Sequence, residues 1–123
     1  MSNSFERWFA RIQFGFEPRV KFYQEFAALM RAGMSKPDAI SLLYMVGRDE
    51  GKKKGEAMAI VLGEIHRQMR NGKSFGEAIR PWVPPDDRMV LEASENSDDF
   101  PGQLDGYCWA LRQKKKVVGT IVG

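Results

Sequence analysis

Residues 22–43 read FYQEFAALMRAGMSKPDAISLL and contain the clearest structural pattern of the chain. Apolar side chains recur at helical spacing in its first half: Phe22, Phe26, Leu29 and Met30. Gly33 then interrupts the pattern, and glycine tolerates the left-handed conformation that closes a helix. Ser35 is predicted to cap a second helix that follows almost without a linker. The stretch therefore predicts two helices that meet at a tight corner, and it places no catalytic residue there.

The middle of the chain predicts two further helices and a second corner. The helix expected over residues 56–71 has the most regular apolar period in the sequence: Met58, Val61, Leu62, Ile65 and Met69. Gly72 is predicted to end this helix. Ser74 and Glu77 have the spacing of a capping box, which predicts a short fourth helix ending near residue 80. Like Gly33 and Ser35, these residues are interpreted as structural corners.

Two segments are predicted to be non-helical. Residues 47–55 (GRDEGKKKG) are polar and glycine-rich, which is typical of a flexible loop. Residues 82–85 (WVPP) are expected to be extended, because a proline disfavours helix at the residue before it. A fifth helix should follow, with Asp86 and Asp87 complementing its positive N-terminal end.

The last predicted helix completes an all-α fold, a compact bundle of about six short helices. Asp98 or Asp99 is expected to cap it, and its apolar face would contain Leu104, Tyr107, Cys108 and Leu111. No segment alternates with period two over enough length to predict a strand, and no internal repeat is evident. The bundle is assigned to residues 20–116.

Residues 1–19 are interpreted as an amphipathic N-terminal arm, bounded by Pro18. Its apolar residues follow helical spacing: Phe5, Trp8, Phe9, Ile12 and Phe16. The arm could pack on the domain, or lie on a membrane surface with Arg7 and Arg11 beside its aromatic side chains. The short length of the stripe favours packing.

The C-terminal residues 114–123 read KKKVVGTIVG. A basic cluster followed directly by apolar residues is typical of the cytoplasmic start of a membrane helix. Seven residues cannot span a bilayer. We therefore interpret residues 117–123 as the start of a truncated transmembrane segment, and a frayed helix end is the alternative.

Composition excludes several classes of protein. At 123 residues the chain is long enough for one domain with its own core. The single Cys108 rules out an intramolecular disulfide framework. The net charge of +3 does not by itself predict nucleic-acid binding. The run Lys52, Lys53 and Lys54 could contact phosphate, but a solvated loop is the simpler interpretation.

The sequence offers no convincing catalytic, cofactor or metal site. His66 is the only histidine, so a surface or cap role is the simpler interpretation of it. Cys108 lies on an apolar helix face, which predicts a buried thiol. Five acidic residues concentrate around one predicted helix junction: Glu92, Glu95, Asp98, Asp99 and Asp105. They could supply oxygen ligands to a hard cation, but their spacing is not that of an EF-hand, and solvated or capping roles are favoured.

The motifs in this order resemble the cytoplasmic domain of the type II secretion F proteins. These are the polytopic inner-membrane platform proteins of type II secretion and type IV pilus assembly. The first corner fits the family's pattern at Phe22, Phe26, Leu29, Arg31, Ala32, Gly33, Ala39 and Leu43. Residues 70–79 (RNGKSFGEAI) match its "S(L/F)xEA" helix start, and residues 83–104 cover its "GExSGxL" segment. The resemblance spans residues 20–116.

The match in residues 83–104 is incomplete. Glu95 stands at the family's glutamate, and Gly102 and Leu104 lie near its glycine and leucine. Ser94 replaces the usual glycine, and residues 98–101 are extra. The N-terminal arm is most similar to the type IVb branch, which includes conjugative thin pili.

The resemblance implies a non-catalytic domain without cofactor, on the cytoplasmic side of a bacterial inner membrane. It implies a six-helix bundle within a larger protein that has about three membrane helices. Its partners would be a cytoplasmic assembly ATPase, pilin, other inner-membrane assembly proteins and further copies of itself, but no nucleic acid. Candidate interaction residues are Arg31, Glu92, Glu95, Asp98 and Asp99.

Two other functions compete with this one. A free-standing helical adaptor or nucleic-acid-binding module could use the lysines at residues 52–54 and 114–116; steeply salt-dependent DNA binding would support it. A small enzyme could be built on His66 or Cys108 with the acidic residues, but no suitable constellation is recognisable.

Overall fold

The computed structural model describes residues 4, 7, 8, 10, 14–49 and 53–122 of the protein. This part of the chain contains six α-helices and no strand, which confirms the predicted all-α fold. The helices are α1 (Phe16–Arg31), α2 (Lys36–Asp49), α3 (Lys53–Arg70), α4 (Phe75–Ile79), α5 (Pro85–Ser94) and α6 (Phe100–Val122). A short 3-10 helix, Arg80–Trp82, joins α4 to α5.

The helices pack mainly as two antiparallel pairs, α1 with α6 and α2 with α3. Arg31 at the end of α1 pairs with Asp105 near the start of α6, and Glu17 at the start of α1 pairs with Arg112 further along α6. Tyr44 of α2 stacks on His66 of α3 with ring centroids 6.0 Å apart. The remaining helices, α4 and α5, close the bundle between the two pairs.

Aromatic side chains fill the space between the pairs. The rings of Phe22 and Phe26 stack in parallel with their centroids 5.7 Å apart. The centroids of Phe26 and Phe75 are 4.6 Å apart. Phe100 contacts Phe26 and Phe75 edge-on or tilted. All four rings are buried, and burying one such side chain stabilises a fold by roughly 1.5–3 kcal/mol. The helical spacing of Phe22 and Phe26 in the opening motif is therefore the spacing of core residues.

The first helix begins earlier than predicted. The arm was expected to end at Pro18 and the bundle to begin at residue 20, but α1 starts at Phe16. Pro18 lies in the first turn, where a missing N–H removes no helical hydrogen bond. Among the described residues of the arm, Ala10 and Phe14 are buried. They fit an arm packed on the domain, whereas Phe5, Phe9, Arg11 and Ile12 lie outside the described residues.

The predicted loop at residues 47–55 is mostly helical. α2 continues to Asp49 and α3 begins at Lys53. Gly47 is buried in the contact between these helices, so tertiary packing overrides the low helix propensity of this segment. Residues 50–52 lie outside the described part of the chain.

The predicted extended segment at residues 82–85 is shorter than expected. Trp82 belongs to the 3-10 helix, and Pro85 is the first residue of α5, where proline fits well. Val83 and Pro84 between them are extended, as predicted.

The last helix continues beyond residue 116, where the bundle was predicted to end. Asp99 rather than Asp98 caps it, accepting a hydrogen bond from the Gly102 N–H at 3.0 Å. Leu104 and Cys108 are buried, as predicted, and α6 continues to Val122. In the described part of the chain, no helix is long and apolar enough to cross a membrane.

Candidate functional site

Two corners of the chain have the same backbone hydrogen bonds. After α1, the Gly33 N–H donates to the Met30 carbonyl and the Met34 N–H donates to the Leu29 carbonyl. After α3, the same two bonds recur: the Gly72 N–H donates to the Met69 carbonyl, and the Lys73 N–H donates to the Gln68 carbonyl. Each is a Schellman motif, which satisfies carbonyls that the helix end leaves free.

The two positions need glycine because of their backbone conformation, and not because a side chain would clash with its neighbours. Gly33 has a φ of +101° and Gly72 a φ of +94°, and a Cβ at either position would meet no atom within 4 Å. Both predictions of a left-handed glycine are confirmed. The sequences RAGMS (residues 31–35) and RNGKS (residues 70–74) thus fold alike, a similarity that the search for internal repeats missed.

Both serines act as predicted at the start of the next helix. Ser35 Oγ accepts a hydrogen bond from the Asp38 N–H at 3.3 Å. Ser74 Oγ accepts one from the Glu77 N–H at 3.2 Å, and the Glu77 carboxylate accepts one from the Ser74 N–H at 3.1 Å. The Ser74 N–H and the Ser74 hydroxyl both donate to the Glu77 carboxylate at 3.1 Å, and these two hydrogen bonds lower the pKa of the Glu77 carboxyl. The complete capping box therefore exists at the second corner.

Glu95, placed between α5 and α6, joins the two corners. Its carboxylate accepts the N–H of Phe75 at 3.0 Å and the N–H of Gly76 at 2.8 Å, which are the first two amides of α4. It also pairs with Lys36 Nζ at 3.3 Å, directly after the first corner. Glu95 is only 9% exposed, and these donors compensate its buried charge.

Gly76 permits this close approach. A Cβ at this position would lie 3.0 Å from Glu95 Oε1, so a larger residue would have to displace the carboxylate. The fragment SFGEA and the glutamate about 20 residues later are thus one structural unit. Lys36 adds the first corner to it, with its ammonium also 5.4 Å from the centre of the Phe100 ring.

A second buried carboxylate, Asp87, connects α1, α5 and α6. It is 1% exposed and accepts three hydrogen bonds: from Arg19 Nε at 2.6 Å, Tyr23 OH at 2.5 Å and Tyr107 OH at 2.5 Å. Burial and the neighbouring Asp87 raise the pKa of both tyrosines, so they remain protonated donors. Sequence analysis had assigned Asp87 only to the helix end.

Four of the predicted interaction residues take part in intramolecular contacts. Arg31 pairs with Asp105, and Glu92 pairs with Arg80 at 2.6 Å. Asp99 caps α6, and Glu95 binds the start of α4 as described above. Asp98 is exposed. The acidic residues are therefore dispersed among separate roles, and no group of three potential metal ligands forms within the described residues.

The two residues weighed as catalytic lie in ordinary packing environments. His66 is partly buried and stacks on Tyr44. Cys108 is buried, and burial raises the pKa of its thiol to about 11. A thiol with this pKa is protonated near neutral pH and is a poor nucleophile.

The surface has two features that sequence analysis did not assign. Leu42, Met45 and Val46 form an exposed apolar stripe on α2. A cavity of about 280 Å³ lies beside the second corner, where Arg7 of the arm stacks over Trp82. Its acidic residues already have partners: Glu64 binds Arg67 and Glu77 binds Ser74.

The lysines proposed for nucleic-acid contact are only partly described. Lys115 forms an ion pair with Glu17, and its ammonium lies 4.3 Å from the centre of the Phe16 ring. Its charge therefore already interacts with groups of the domain. Lys52 lies outside the described residues.

Lys36 and Asp87 are the residues that sequence reasoning missed. Lys36 lies next to a predicted cap, and Asp87 lies in a predicted first turn, so local patterns already explained both. Glu95 lies 59 residues from Lys36, and the three partners of Asp87 lie 20, 64 and 68 residues from it in sequence. Spacing within a single sequence gives no signal for contacts of that length.

Comparison with known proteins identifies no relative: no protein-family model, curated protein or solved structure matches the chain.

Proposed function

We propose that this chain is the cytoplasmic domain of an inner-membrane platform protein for type IV pilus assembly or type II secretion. In this role it is a non-catalytic scaffold that couples a cytoplasmic assembly ATPase to the movement of pilin. It forms oligomers and belongs to a larger membrane protein.

One observation carries the proposal. The three motifs on which the resemblance rests are far apart in sequence, yet they converge on Glu95. The RAG corner leads to Lys36, the SFGEA motif supplies the amides of Phe75 and Gly76, and Glu95 stands at the family's glutamate. Their meeting at one buried carboxylate supports the interpretation of the three motifs as one structural unit.

The architecture also suits a mechanical role. The buried polar groups of the site, Glu95 and Asp87, are occupied by contacts that fix helices to one another. Such contacts favour a defined arrangement of surfaces over a reactive centre. The exposed stripe on α2, comprising Leu42, Met45 and Val46, is the kind of surface through which a scaffold binds partners.

Fractionation of the source cells tests the proposal. An antibody against this domain should detect an inner-membrane protein several times larger than 14.0 kDa. Extraction with carbonate should leave the protein in the membrane. A soluble product near 14.0 kDa would contradict the proposal and would favour the free-standing adaptor or nucleic-acid-binding module.

A second experiment tests the partner. The purified domain should bind the purified assembly ATPase of the same cell, and a variant with Leu42, Met45 and Val46 replaced by serine serves to locate the contact. Binding that is absent at all concentrations tested would remove the ATPase from the proposal.

A further inference from the structure

The helices α2 and α3 form a hairpin that is covalently connected to the rest of the domain through the two matched corners. One connection is the Gly33 corner between α1 and α2, and the other is the Gly72 corner between α3 and α4. Both have the same Schellman hydrogen bonds and a left-handed glycine. The hairpin therefore has chemically equivalent attachments on its two sides.

The hairpin shares the hydrophobic core of the domain, but most of its helix contacts are those between α2 and α3. α2 contacts α3 far more than any other helix, and α1 contacts α6 in the same way. The hairpin contributes mainly aliphatic side chains to this core, among them Ile40, Val61, Leu62 and Ile65. Apolar contacts of this kind are non-directional, so they can persist while the packed helices slide by small amounts.

Polar contacts are distributed unequally between the two parts. Arg19, Tyr23 and Tyr107 all bind the buried Asp87, which fixes α1, α5 and α6 to one another. Across the described residues, the ion pair that crosses from the hairpin to the rest of the domain is Lys36–Glu95. Lys36 Nζ also donates to the Glu95 carbonyl at 3.2 Å.

The position of Glu95 makes this ion pair relevant to both corners. The Glu95 carboxylate accepts a hydrogen bond from Lys36, just after the first corner. It also accepts hydrogen bonds from the amides of Phe75 and Gly76, just after the second corner. The side chain of Lys36 is 29% exposed and that of Glu95 is 9% exposed. A contact at the edge of the core can open at lower cost than one buried in it.

We propose that the α2–α3 hairpin is a hinged unit that moves against the rest of the domain about Gly33 and Gly72, with Lys36–Glu95 as its latch. The corners take up the change in backbone angles, since hinges lie at the ends of helices. Breaking the latch releases the hairpin, while Asp87 keeps α1, α5 and α6 together. This inference rests on the contacts alone and does not depend on the proposed function.

Amide hydrogen exchange, followed residue by residue by NMR, tests the hinge. The central amides of α2 and α3 should share one protection factor, lower than that of amides in α1 and α6 such as Tyr23 and Leu104. The Lys36–Glu95 contact is broken both when the hairpin opens and when the whole domain unfolds, so Lys36→Met should lower the protection of α1, α2, α3 and α6 by the same factor, less than about fivefold. Tyr107→Phe removes a hydrogen bond to Asp87 that persists while the hairpin opens, so it should lower the protection of α1 and α6 severalfold and leave that of α2 and α3 unchanged.

Arg31→Met is the matched control. It removes another ion pair beside the first corner, but Arg31 binds Asp105 of α6 and not the hairpin latch. Its effect on the protection of α2 and α3 should be less than twofold. Equal protection of all core amides in the unchanged protein, an equal loss in α1, α2, α3 and α6 of Tyr107→Phe, or a loss in α2 and α3 of Lys36→Met no larger than that of Arg31→Met, would overturn the proposal.

Discussion

The two corners of this domain share a backbone and differ in how the following helix begins. At the first corner, α2 starts at an exposed position, and Pro37 contributes no N–H that needs a partner. At the second, Phe75 and Gly76 are buried, and Glu95 accepts both of their amides. The comparison shows that one local motif can be completed by proline at the surface and by a distant carboxylate in the core.

The difference also separates local from long-range contributions to stability. The glycine and the serine act within each corner, so the glycines should contribute equally at both and the serines should differ only modestly. Glu95 acts across the fold and serves mainly the second corner, because Lys36 is partly solvated. Substitutions at equivalent positions can therefore distinguish the two contributions.

The largest effect is expected for Glu95→Gln. The amide side chain has one acceptor oxygen and presents N–H groups where the carboxylate accepts bonds, so at least one buried amide of α4 loses its partner. We expect the free energy of unfolding to fall by about 3 kcal/mol in urea denaturation. Lys36→Met removes only the first-corner contact and should cost less than about 1 kcal/mol. Equal losses in the two variants would contradict the asymmetry.

Alanine substitution of the corner glycines should have equal effects. Gly33→Ala and Gly72→Ala each impose left-handed strain of about 1 kcal/mol with no steric clash. Gly106→Ala is the control, since Gly106 lies within α6 without a positive φ and has open space around it. That substitution should stabilise the protein by about 0.5 kcal/mol. Thermal unfolding measures all three, and a cost at only one corner would show that the corners are not equivalent.

The serine caps should differ modestly. Ser74→Ala removes a complete capping box and should cost about 1 kcal/mol, whereas Ser35→Ala removes one 3.3 Å hydrogen bond and should cost about 0.5 kcal/mol. Urea denaturation of the two variants at the same pH provides the comparison. A larger loss for Ser35→Ala would mean that the exposed cap matters more than its geometry indicates.

The smallest effect is a pH dependence confined to the second corner. Hydrogen bonds from Ser74 hold the pKa of Glu77 below its ordinary value near 4.5. The unfolded state therefore binds a proton first as the pH falls, so this contribution to stability is present above about pH 4.5 and is lost below it. Unfolding measured at pH 6 and pH 4 should show a smaller decrease for Glu77→Gln than for the unchanged protein. If the free energy of unfolding falls by the same amount in Glu77→Gln and in the unchanged protein, Glu77 is not a source of the pH dependence.

Sequence reasoning succeeded where the determinants are local. Gly33, Ser35, Gly72 and Ser74 were predicted because their roles depend on neighbours within four residues. It failed at residues 47–55, where packing of α2 on α3 keeps a glycine-rich segment helical. It also gave Asp87 only a helix-end role, because the tyrosines and arginine that bind it are distant in sequence.

The candidate site divides in the same way. Glu95 was found through the resemblance, but its partners were not, since nothing near Lys36 or Phe75 in sequence indicates a common acceptor. The acidic residues around Glu95 were considered as one cluster because they are close in sequence. In the fold, Glu92, Asp99 and Asp105 have separate partners.

The contact between Glu95 and the start of α4 is the claim on which both proposals draw, and NMR can test it directly. The amide proton shifts of Phe75 and Gly76 should be downfield in the unchanged protein, and both should move upfield in Glu95→Gln. In Glu77→Gln, which affects the adjacent cap, these two amides should move much less. If Phe75 and Gly76 respond no more to Glu95→Gln than to Glu77→Gln, then Glu95 does not join the two corners, and the account is wrong.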